Sequence, residues 1–389
     1  MHLDYTPSQR ALRDELRAYL AGLITPELVA ELDENEGGGP LYHKAVQQLG
    51  ADNWLGIGWP KEHGGQERGP IEQFIFFDEV QRAGFPVPIL TLNTVGPTLL
   101  KFGTPAQIAE YAPRILAGKC HFSIGYTEPD SGTDLASLKT TATRDGDEWV
   151  INGQKIWTSL ADHADYIWLA ARTNPDPNAP PHKAISMFIV PTTAKGFSYT
   201  PIHALGENNV HATYYDNVRV PAGNLVSNEG GGWKLITTQL NHERVGLGPA
   251  GRVAGIYEQV HSWASEPGSN GVVPLDDPEA RRLLGQIKSI WRLNELLNWQ
   301  VAASGENIAV ADAAATKVFS TERIQEVGRL AEEVVGRFGN PADAHTAHLL
   351  DWLDKMTKRN LVITFGGGVN EVMREMIAAS GLKVPRVPR

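Results

Sequence analysis

The spacing of the apolar residues changes twice along the chain, and this change limits the possible folds more than any other feature. From Thr6 to about Gly118 the pattern is helical, and Thr6-Pro7 has the form of an N-cap followed by proline at the first helical position. Around residue 121 the spacing becomes the alternation typical of strands, and after Gly232 the helical period returns. Three glycines follow apolar-periodic runs and are expected just after helix ends: Gly50, Gly84 and Gly118.

This order predicts an α+β fold with a helical N-terminal domain, a central antiparallel β domain and a C-terminal helical bundle. The predicted boundaries are 1–120 for the first domain, 121–230 for a β-barrel-like domain and 231–389 for a four-helix bundle. Within the β domain, Asp145-Gly146-Asp147 predicts a turn and Asn152-Gly153 predicts a hairpin. Strands are expected at Ile167–Arg172, Ile185–Val190 and Tyr214–Val220.

Charge and cysteine content exclude several kinds of partner and site. A formal net charge of −10 over 389 residues argues against nucleic acid or an anionic membrane as the main partner. Cys120 is the single cysteine, so an intramolecular disulfide is impossible, and a reducing cytoplasm is the expected compartment. The N-terminus shows no secretion signal, and no uncharged stretch is long enough to span a membrane.

Three common catalytic or cofactor motifs are absent or weak. The run Gly246 to Gly251 satisfies the G-x-G-x-x-G dinucleotide pattern, but the polar residues before it do not resemble the buried strand that this motif requires. No H-E-x-x-H pattern and no G-x-S-x-G pattern occurs, so a zinc site and a simple serine hydrolase find no support.

Two segments of the predicted β domain are informative as a pair. The first reads Tyr126-Thr127-Glu128-Pro129-Asp130-Ser131-Gly132-Thr133-Asp134, and the second reads Lys155-Ile156-Trp157-Thr158-Ser159. The first offers backbone N–H groups and hydroxyls for a ring edge or phosphate, and the second offers an indole to cover a flat ring. Either segment alone is more often an ordinary turn or a strand with a core tryptophan.

In order and at this spacing, the pair resembles the flavin cradle of the acyl-CoA dehydrogenase family, and the resemblance extends over most of the chain. It implies FAD as the cofactor. The residues that would hold FAD by resemblance are Tyr126, Thr127, Gly132, Thr133, Trp157 and Ser159.

The resemblance also implies a carboxylate base, because these enzymes remove a proton beside a thioester carbonyl and pass a hydride to flavin. Many relatives carry this glutamate in a Tyr-Glu-Gly-Thr turn, where this chain has Gly367. Other branches carry it directly before an arginine on the first long helix after the β domain, which here is Glu243-Arg244. Glu243 is therefore the predicted base; the alternative is a surface glutamate paired with Arg244.

Further substrate contacts follow from the same resemblance. Arg244 and Asn241 would contact the ligand, although Arg244 is equally well read as a solvated helix cation. Gly367 and Gly368 would allow the thioester oxygen to approach backbone N–H groups.

Within the family, three stretches look most like the actinobacterial enzymes that shorten steroid side chains: Ala161 to Arg172, Thr213 to Pro221 and Gly232 to Leu240. The implied substrate is a steroid-carboxyl-CoA, and the implied electron acceptor is an electron-transfer flavoprotein. Two alternatives stay open, namely a non-catalytic structural subunit and an acyl-CoA oxidase.

The chain also lacks what a homotetramer of this family needs. Relatives grip the ADP side of a neighbour's FAD with an Arg-x-x-Phe-Gly and a Gln-x-x-Gly-Gly-x-Gly segment. The corresponding regions here, 271–279 and 333–339, carry acidic residues or a degraded pattern. The resemblance therefore implies pairing with a homologous second subunit, as a heterotetramer with two copies of each.

Overall fold

The structure, a computed structural model, describes residues 4–35, 37–174, 176, 178–207, 209–246, 250–305 and 308–385. For residues 240–246 it describes the helical backbone and not the side chains. The described chain runs from a helical part through one β-sheet to a second helical part. This order confirms the predicted fold class.

Most of the N-terminal helices begin at a proline, which fixes a helical φ where no N–H donor is needed. Thr6 accepts a hydrogen bond from Gln9, whose side chain bonds back to Thr6 in a capping box, so the predicted N-cap is confirmed. Gly84 and Gly118 have φ of +75° and +66°, as expected after a helix end. The helices are α1 (Pro7–Leu23), α2 (Pro26–Glu34), α3 (Pro40–Ala51), α4 (Pro70–Arg82), α5 (Gly96–Phe102) and α6 (Pro105–Leu116).

The prediction for Gly50 is wrong, because Gly50 lies inside α3. A Cβ at this position would come within 2.6 Å of the Leu116 carbonyl oxygen, so the glycine permits close packing of α3 on the end of α6. The left-handed residue after α3 is Asn53, with φ of +64°.

The central part forms a mostly antiparallel sheet in the order β6-β7-β3-β2-β4-β5-β8, with β1 parallel to β4. The three strands predicted from alternation are confirmed as parts of β4, β5 and β7. The strands are β1 (Phe122–Gly125), β2 (Thr141–Asp145), β3 (Glu148–Ser159), β4 (Tyr166–Arg172), β5 (Ile185–Pro191), β6 (Phe197–His203), β7 (Asn209–Pro221) and β8 (Leu225–Val226).

The predicted turn at Asp145-Gly146-Asp147 joins β2 to β3, whereas the predicted hairpin at Asn152-Gly153 is wrong. β3 continues through these residues, and its register against β7 shifts between Ile151 and Gly153. Gly153 has φ of +151°, and a Cβ there would lie 2.4 Å from the Thr140 hydroxyl. The glycine therefore allows a β-bulge beside a neighbouring strand instead of reversing the chain.

Four of the C-terminal helices pack around a separate apolar core, to which they contribute Val260, Ile287, Val327 and Leu353. The helices are α7 (Gly232–Gly246), α8 (Ala250–Ala264), α9 (Pro278–Ser304), α10 (Val310–Phe338), α11 (Ala344–Arg359) and α12 (Asn370–Met376). No helix in the described part of the chain is long and apolar enough to cross a membrane.

The first core joins the N-terminal helices, one face of the sheet and α7. Leu235 and Ile236 of α7 lie in the same buried cluster as Trp168 of β4 and Val95 of a π-helical segment, Leu90–Val95. This packing places α7 against the β domain, beside the segment that contains Tyr126.

Candidate active site

The two segments that resemble a flavin cradle lie side by side in the structure. The backbone N–H of Ile156 donates to the Thr127 carbonyl oxygen at 2.8 Å. The Lys155 ammonium donates to the Tyr126 carbonyl oxygen at 3.1 Å. Thr127 is half-buried at this junction. The segments therefore form one surface, here called the cradle: residues 126–134 and 155–159.

A buried ion pair holds the cradle together. The Lys155 Nζ lies 2.8 Å from the Glu128 Oε1, and their side chains are 0% and 6% exposed. Glu128 also accepts backbone N–H bonds from Lys139 and Thr140 at 2.6 and 2.8 Å. Burial lowers the pKa of Lys155 to about 8. Burial alone would raise the pKa of Glu128, but Lys155 and the N–H donors outweigh it, so that pKa is lowered and the carboxylate stays charged.

Trp157 points out of the protein core. Its backbone has φ of +62°, and the register of β3 against β7 shifts between Lys155 and Thr158. The side chain is 54% exposed, whereas the neighbouring Thr158 is fully buried against Thr213. A left-handed tryptophan at a bulge is strained, and strain of this kind is common where a side chain serves a ligand. The indole is therefore exposed and available to cover a flat ring. It does not lie in the core, as the alternative interpretation of this tryptophan would require.

The turn of the cradle is held by internal hydrogen bonds and leaves its tip exposed. Glu128 and Ser131 exchange two backbone hydrogen bonds, and the Ser131 hydroxyl donates to the Asp134 carbonyl oxygen at 2.7 Å. In the second segment of the cradle, the Ser159 carbonyl oxygen accepts from the Ser123 hydroxyl at 2.6 Å. Gly132 and Thr133, at the tip of the turn, are exposed. The tip can therefore meet a ligand without breaking the turn.

A glutamine of α7 forms hydrogen bonds with the cradle and with the interior of the sheet. The Gln239 Oε1 accepts from the Tyr126 hydroxyl at 2.6 Å and from the Trp168 Nε1 at 3.0 Å. The predicted base Glu243 and its neighbours Asn241 and Arg244 lie on the α7 backbone, but their side chains are outside the described residues. Position 243 follows Gln239 by four residues, so the two share one face of the helix.

The glycine turn before α12 is held by a buried lysine that the sequence patterns did not single out. Gly367 and Gly368 have φ of +66° and +98°, which a residue with a side chain adopts only with strain. The Lys317 Nζ donates to the carbonyl oxygens of Thr364 and Gly368 at 3.1 and 2.9 Å, and to the Asn370 Oδ1 at 2.7 Å.

The sequence contains a pattern that marks three buried polar residues of this region, namely Lys155, Lys317 and Gln239. Each polar residue stands where the apolar pattern of its strand or helix expects a buried position: Gln239 follows Leu235 and Ile236, and Lys317 follows Ala313 and Ala314. A buried polar residue needs hydrogen-bond partners, so such positions mark places where the fold supplies them.

No group of three or more metal-ligating side chains occurs among the described residues.

Family models for all three parts of an acyl-CoA dehydrogenase match this chain. The N-terminal domain model matches residues 6–119, the middle domain model 123–218 and the C-terminal domain model 230–382. The chain belongs to the acyl-CoA dehydrogenase family. It is an acyl-CoA dehydrogenase by its domains and its relatives, which confirms the family predicted from the cradle and Glu243-Arg244 motifs.

Three relatives place the chain within the family. It is 61% identical to the acyl-CoA dehydrogenase FadE29 of Mycobacterium tuberculosis over 390 residues, covering 100% of both chains. It is 46% identical to a chain of the ChsE4-ChsE5 complex from Mycobacterium tuberculosis, with a TM-score of 0.90 and full coverage of both chains. It is 48% identical to a chain of the Tcur3481-Tcur3483 steroid ACAD, with a TM-score of 0.91 and full coverage of both.

The dinucleotide-like run Gly246 to Gly251 is explained by this fold. It begins at the last residue of α7 and ends inside α8, and residues 247–249 lie outside the described part. A helix precedes it instead of the strand that a dinucleotide-binding turn requires. Gly251 instead donates its backbone N–H to the buried Asp78 Oδ1 at 2.5 Å, which joins α8 to α4.

Proposed function

We propose that the chain binds FAD in its cradle and catalyses α,β-dehydrogenation of an acyl-CoA thioester. The observation that carries this proposal is the exposed Trp157 indole, held in a left-handed conformation beside the Tyr126–Thr127 segment. The family consists of flavoproteins, and the cradle offers a flat apolar face next to hydroxyl and N–H groups. Bound there, FAD would accept a hydride from the β-carbon of the substrate.

We assign the proton transfer to Glu243. A base on α7 is reasonable because this helix packs on the β domain beside Tyr126, through Gln239. The glycine turn cannot supply a carboxylate, since both Gly367 and Gly368 lack side chains. Their role would be to bring backbone N–H groups close to the thioester oxygen, with Lys317 holding the turn. Arg244 and Asn241 would contact the CoA thioester from α7.

The substrate class we propose is a steroid side-chain thioester. Support comes from the high identity to a chain of the Tcur3481-Tcur3483 steroid ACAD, over the full length of both chains. A panel of CoA thioesters tests this proposal, comparing steroid side-chain thioesters with straight chains of graded length. We expect kcat/KM for the steroid thioesters to exceed that for every straight chain by about 100-fold or more. Equal or higher values for a straight chain would refute the substrate class.

We further propose that the active form is a heterotetramer with a homologous subunit, two copies of each, and that an electron-transfer flavoprotein accepts the electrons. The relatives of known structure include the ChsE4-ChsE5 and Tcur3481-Tcur3483 complexes, each named for two different chains. The test is to express the chain alone and with its candidate partner, and to measure solution mass and FAD per chain. A fully active homotetramer with one FAD per chain would contradict the proposal.

The same preparations separate two alternative functions. A structural subunit would leave the flavin of the complex oxidised when acyl-CoA is added without oxygen. An oxidase would produce peroxide in air at a rate that matches turnover. We expect anaerobic loss of the flavin absorbance and little peroxide.

A further inference from the structure

Gln239 connects α7 to the cradle through a fixed orientation of its side-chain amide. The side chain is 0% exposed, and its Oε1 receives both the Tyr126 hydroxyl and the Trp168 Nε1–H. An indole N–H is a donor only, so the amide oxygen, and not the nitrogen, must face Trp168. Two donors on one oxygen therefore determine where this side chain lies.

The same orientation leaves the other end of the amide without a hydrogen bond. The Gln239 Nε2 is buried and has no partner among the described residues. A buried donor without an acceptor lowers stability. Methionine has a similar shape and would avoid this cost, but it would remove the oxygen that accepts from the Tyr126 hydroxyl and the Trp168 Nε1–H. The role of this residue therefore lies in its oxygen, which accepts from two different parts of the fold.

The two partners of Gln239 differ in what they hold. Trp168 is fully buried in β4 and ties the amide to the rigid interior of the sheet. Tyr126 belongs to the first segment of the cradle, residues 126–134, which the Lys155–Glu128 ion pair holds against β3. The described hydrogen bonds of the Thr237 side chain stay within α7, whereas the Gln239 side chain accepts a hydrogen bond from the cradle.

Gln239 also lies close to the proposed base along the helix. Four residues of an α-helix span about 6 Å, so one turn separates Gln239 from Glu243 on the same helix face. A shift of α7 relative to the cradle would move the backbone at position 243 by a similar amount. A misplacement of about 1 Å at a reacting group can cost about 100-fold in rate.

We propose that Gln239 is a positioning residue that sets the distance between the base-bearing turn of α7 and the cradle. Its oxygen fixes the helix to the interior of the sheet and to Tyr126 at the same time. This inference rests on the proposed function, and it concerns the residue that aligns Glu243 and not the base itself.

The test compares Gln239→Met with the wild-type heteromeric complex. We measure the anaerobic rate of flavin reduction per bound FAD at saturating thioester, the KM, and the isotope effect with a thioester deuterated at the α-carbon. We expect the rate per bound flavin to fall about 10- to 100-fold with a larger isotope effect, because a misaligned base slows C–H cleavage. The Kd for FAD should stay close to wild type, while the thermal midpoint of the FAD-free complex falls, because two hydrogen bonds of a buried side chain are lost.

Gln107→Met is the matched control. Gln107 is also buried, and its Nε2 donates to the carbonyl oxygens of Gly223 and Leu225 at 2.7 and 3.0 Å, which joins α6 to the β domain. The same substitution there removes hydrogen bonds between two elements away from the cradle. We expect a lower thermal midpoint and a wild-type rate per bound flavin.

Gln239→Glu tests the role of the amide oxygen directly. A carboxyl oxygen accepts from Tyr126 and Trp168 as the amide does, so this variant should reduce flavin about fivefold or more faster than Gln239→Met on the alkaline plateau of its pH profile. A Gln239→Met rate within about threefold of wild type, an equal loss in Gln107→Met, or no gain in Gln239→Glu would overturn the inference.

Parallel measurement of Glu243→Gln separates this inference from the proposed function. An inactive Glu243→Gln variant with a normal Gln239→Met variant would refute only the positioning role. A wild-type complex that no thioester reduces would refute the proposed function instead.

Discussion

The substitution Lys155→Met tests how the cradle is held together. Methionine keeps the apolar stem of the lysine and removes the ammonium group. Glu128 would then keep its negative charge in a nearly buried site, with only the backbone N–H groups of Lys139 and Thr140 as partners. The Tyr126 carbonyl oxygen would also lose the Lys155 ammonium as a donor.

The expected loss follows from the burial of the pair. Removing one partner of a buried ion pair costs about 3–5 kcal/mol, because the remaining charge is uncompensated. Glu128 keeps two hydrogen bonds from N–H groups, so we expect the free energy of unfolding to fall by about 3 kcal/mol, at the lower end of this range. The double variant Lys155→Met/Glu128→Gln removes both charges and should recover part of this loss, because the glutamine oxygen can replace only one of the two carboxylate oxygens that accept from Lys139 and Thr140. FAD binding should recover less than stability, because Tyr126 still lacks its lysine donor.

Denaturant unfolding of the complex and FAD titration measure the two effects. Lys139→Met is the control, since the Lys139 Nζ lies 3.0 Å from the Asp130 Oδ2 in the same loop, but the side chains are 73% and 72% exposed. An exposed pair contributes at most about 1 kcal/mol, so this control should change little. If Lys155→Met and Lys139→Met lower stability equally, the argument from burial is refuted.

Three further predictions concern single side chains. Trp157→Ala should raise the Kd for FAD about tenfold or more while leaving the thermal midpoint of the FAD-free complex unchanged, because the indole is half-exposed; unchanged FAD affinity would contradict its role. Lys317→Met should free the glycine turn, so that kcat falls about tenfold or more at normal FAD content in steady-state assays, and a wild-type kcat would refute that role. Burial and the nearby Glu79 raise the pKa of Asp78 from 3.8 to about 7. The folded state then binds a proton that the unfolded state releases, so stability falls as pH rises from about 4 to 7; Asp78→Asn should flatten this fall in thermal midpoints measured across that range, and an unchanged slope would contradict the assignment.

Local patterns predicted local structure well. The Thr6-Pro7 cap and the Asp145-Gly146-Asp147 turn depend on residues within a few positions, and both are present. Asn152-Gly153 predicted a hairpin because it favours positive φ, and Gly153 does have positive φ. Whether such a residue reverses the chain or makes a bulge depends on β7 beside it, which local sequence does not specify.

The candidate site divides in the same way. The cradle motifs and Glu243-Arg244 could be recognised because their residue types and spacing resemble a family. Gln239, Lys155 and Lys317 could not be assigned a role, because their partners lie far away in sequence and come together only in the folded chain. What the sequence did offer was a polar residue at a position that the apolar pattern marks as buried.

Anaerobic flavin reduction in Glu243→Gln tests the central claim most directly. Glutamine keeps the shape of the side chain and removes its ability to take a proton. The complex should keep its FAD, while the rate of flavin reduction by the best thioester should fall by about 10²- to 10⁴-fold, as for a lost general base. Flavin reduction within about threefold of wild type would show that Glu243 is not the base.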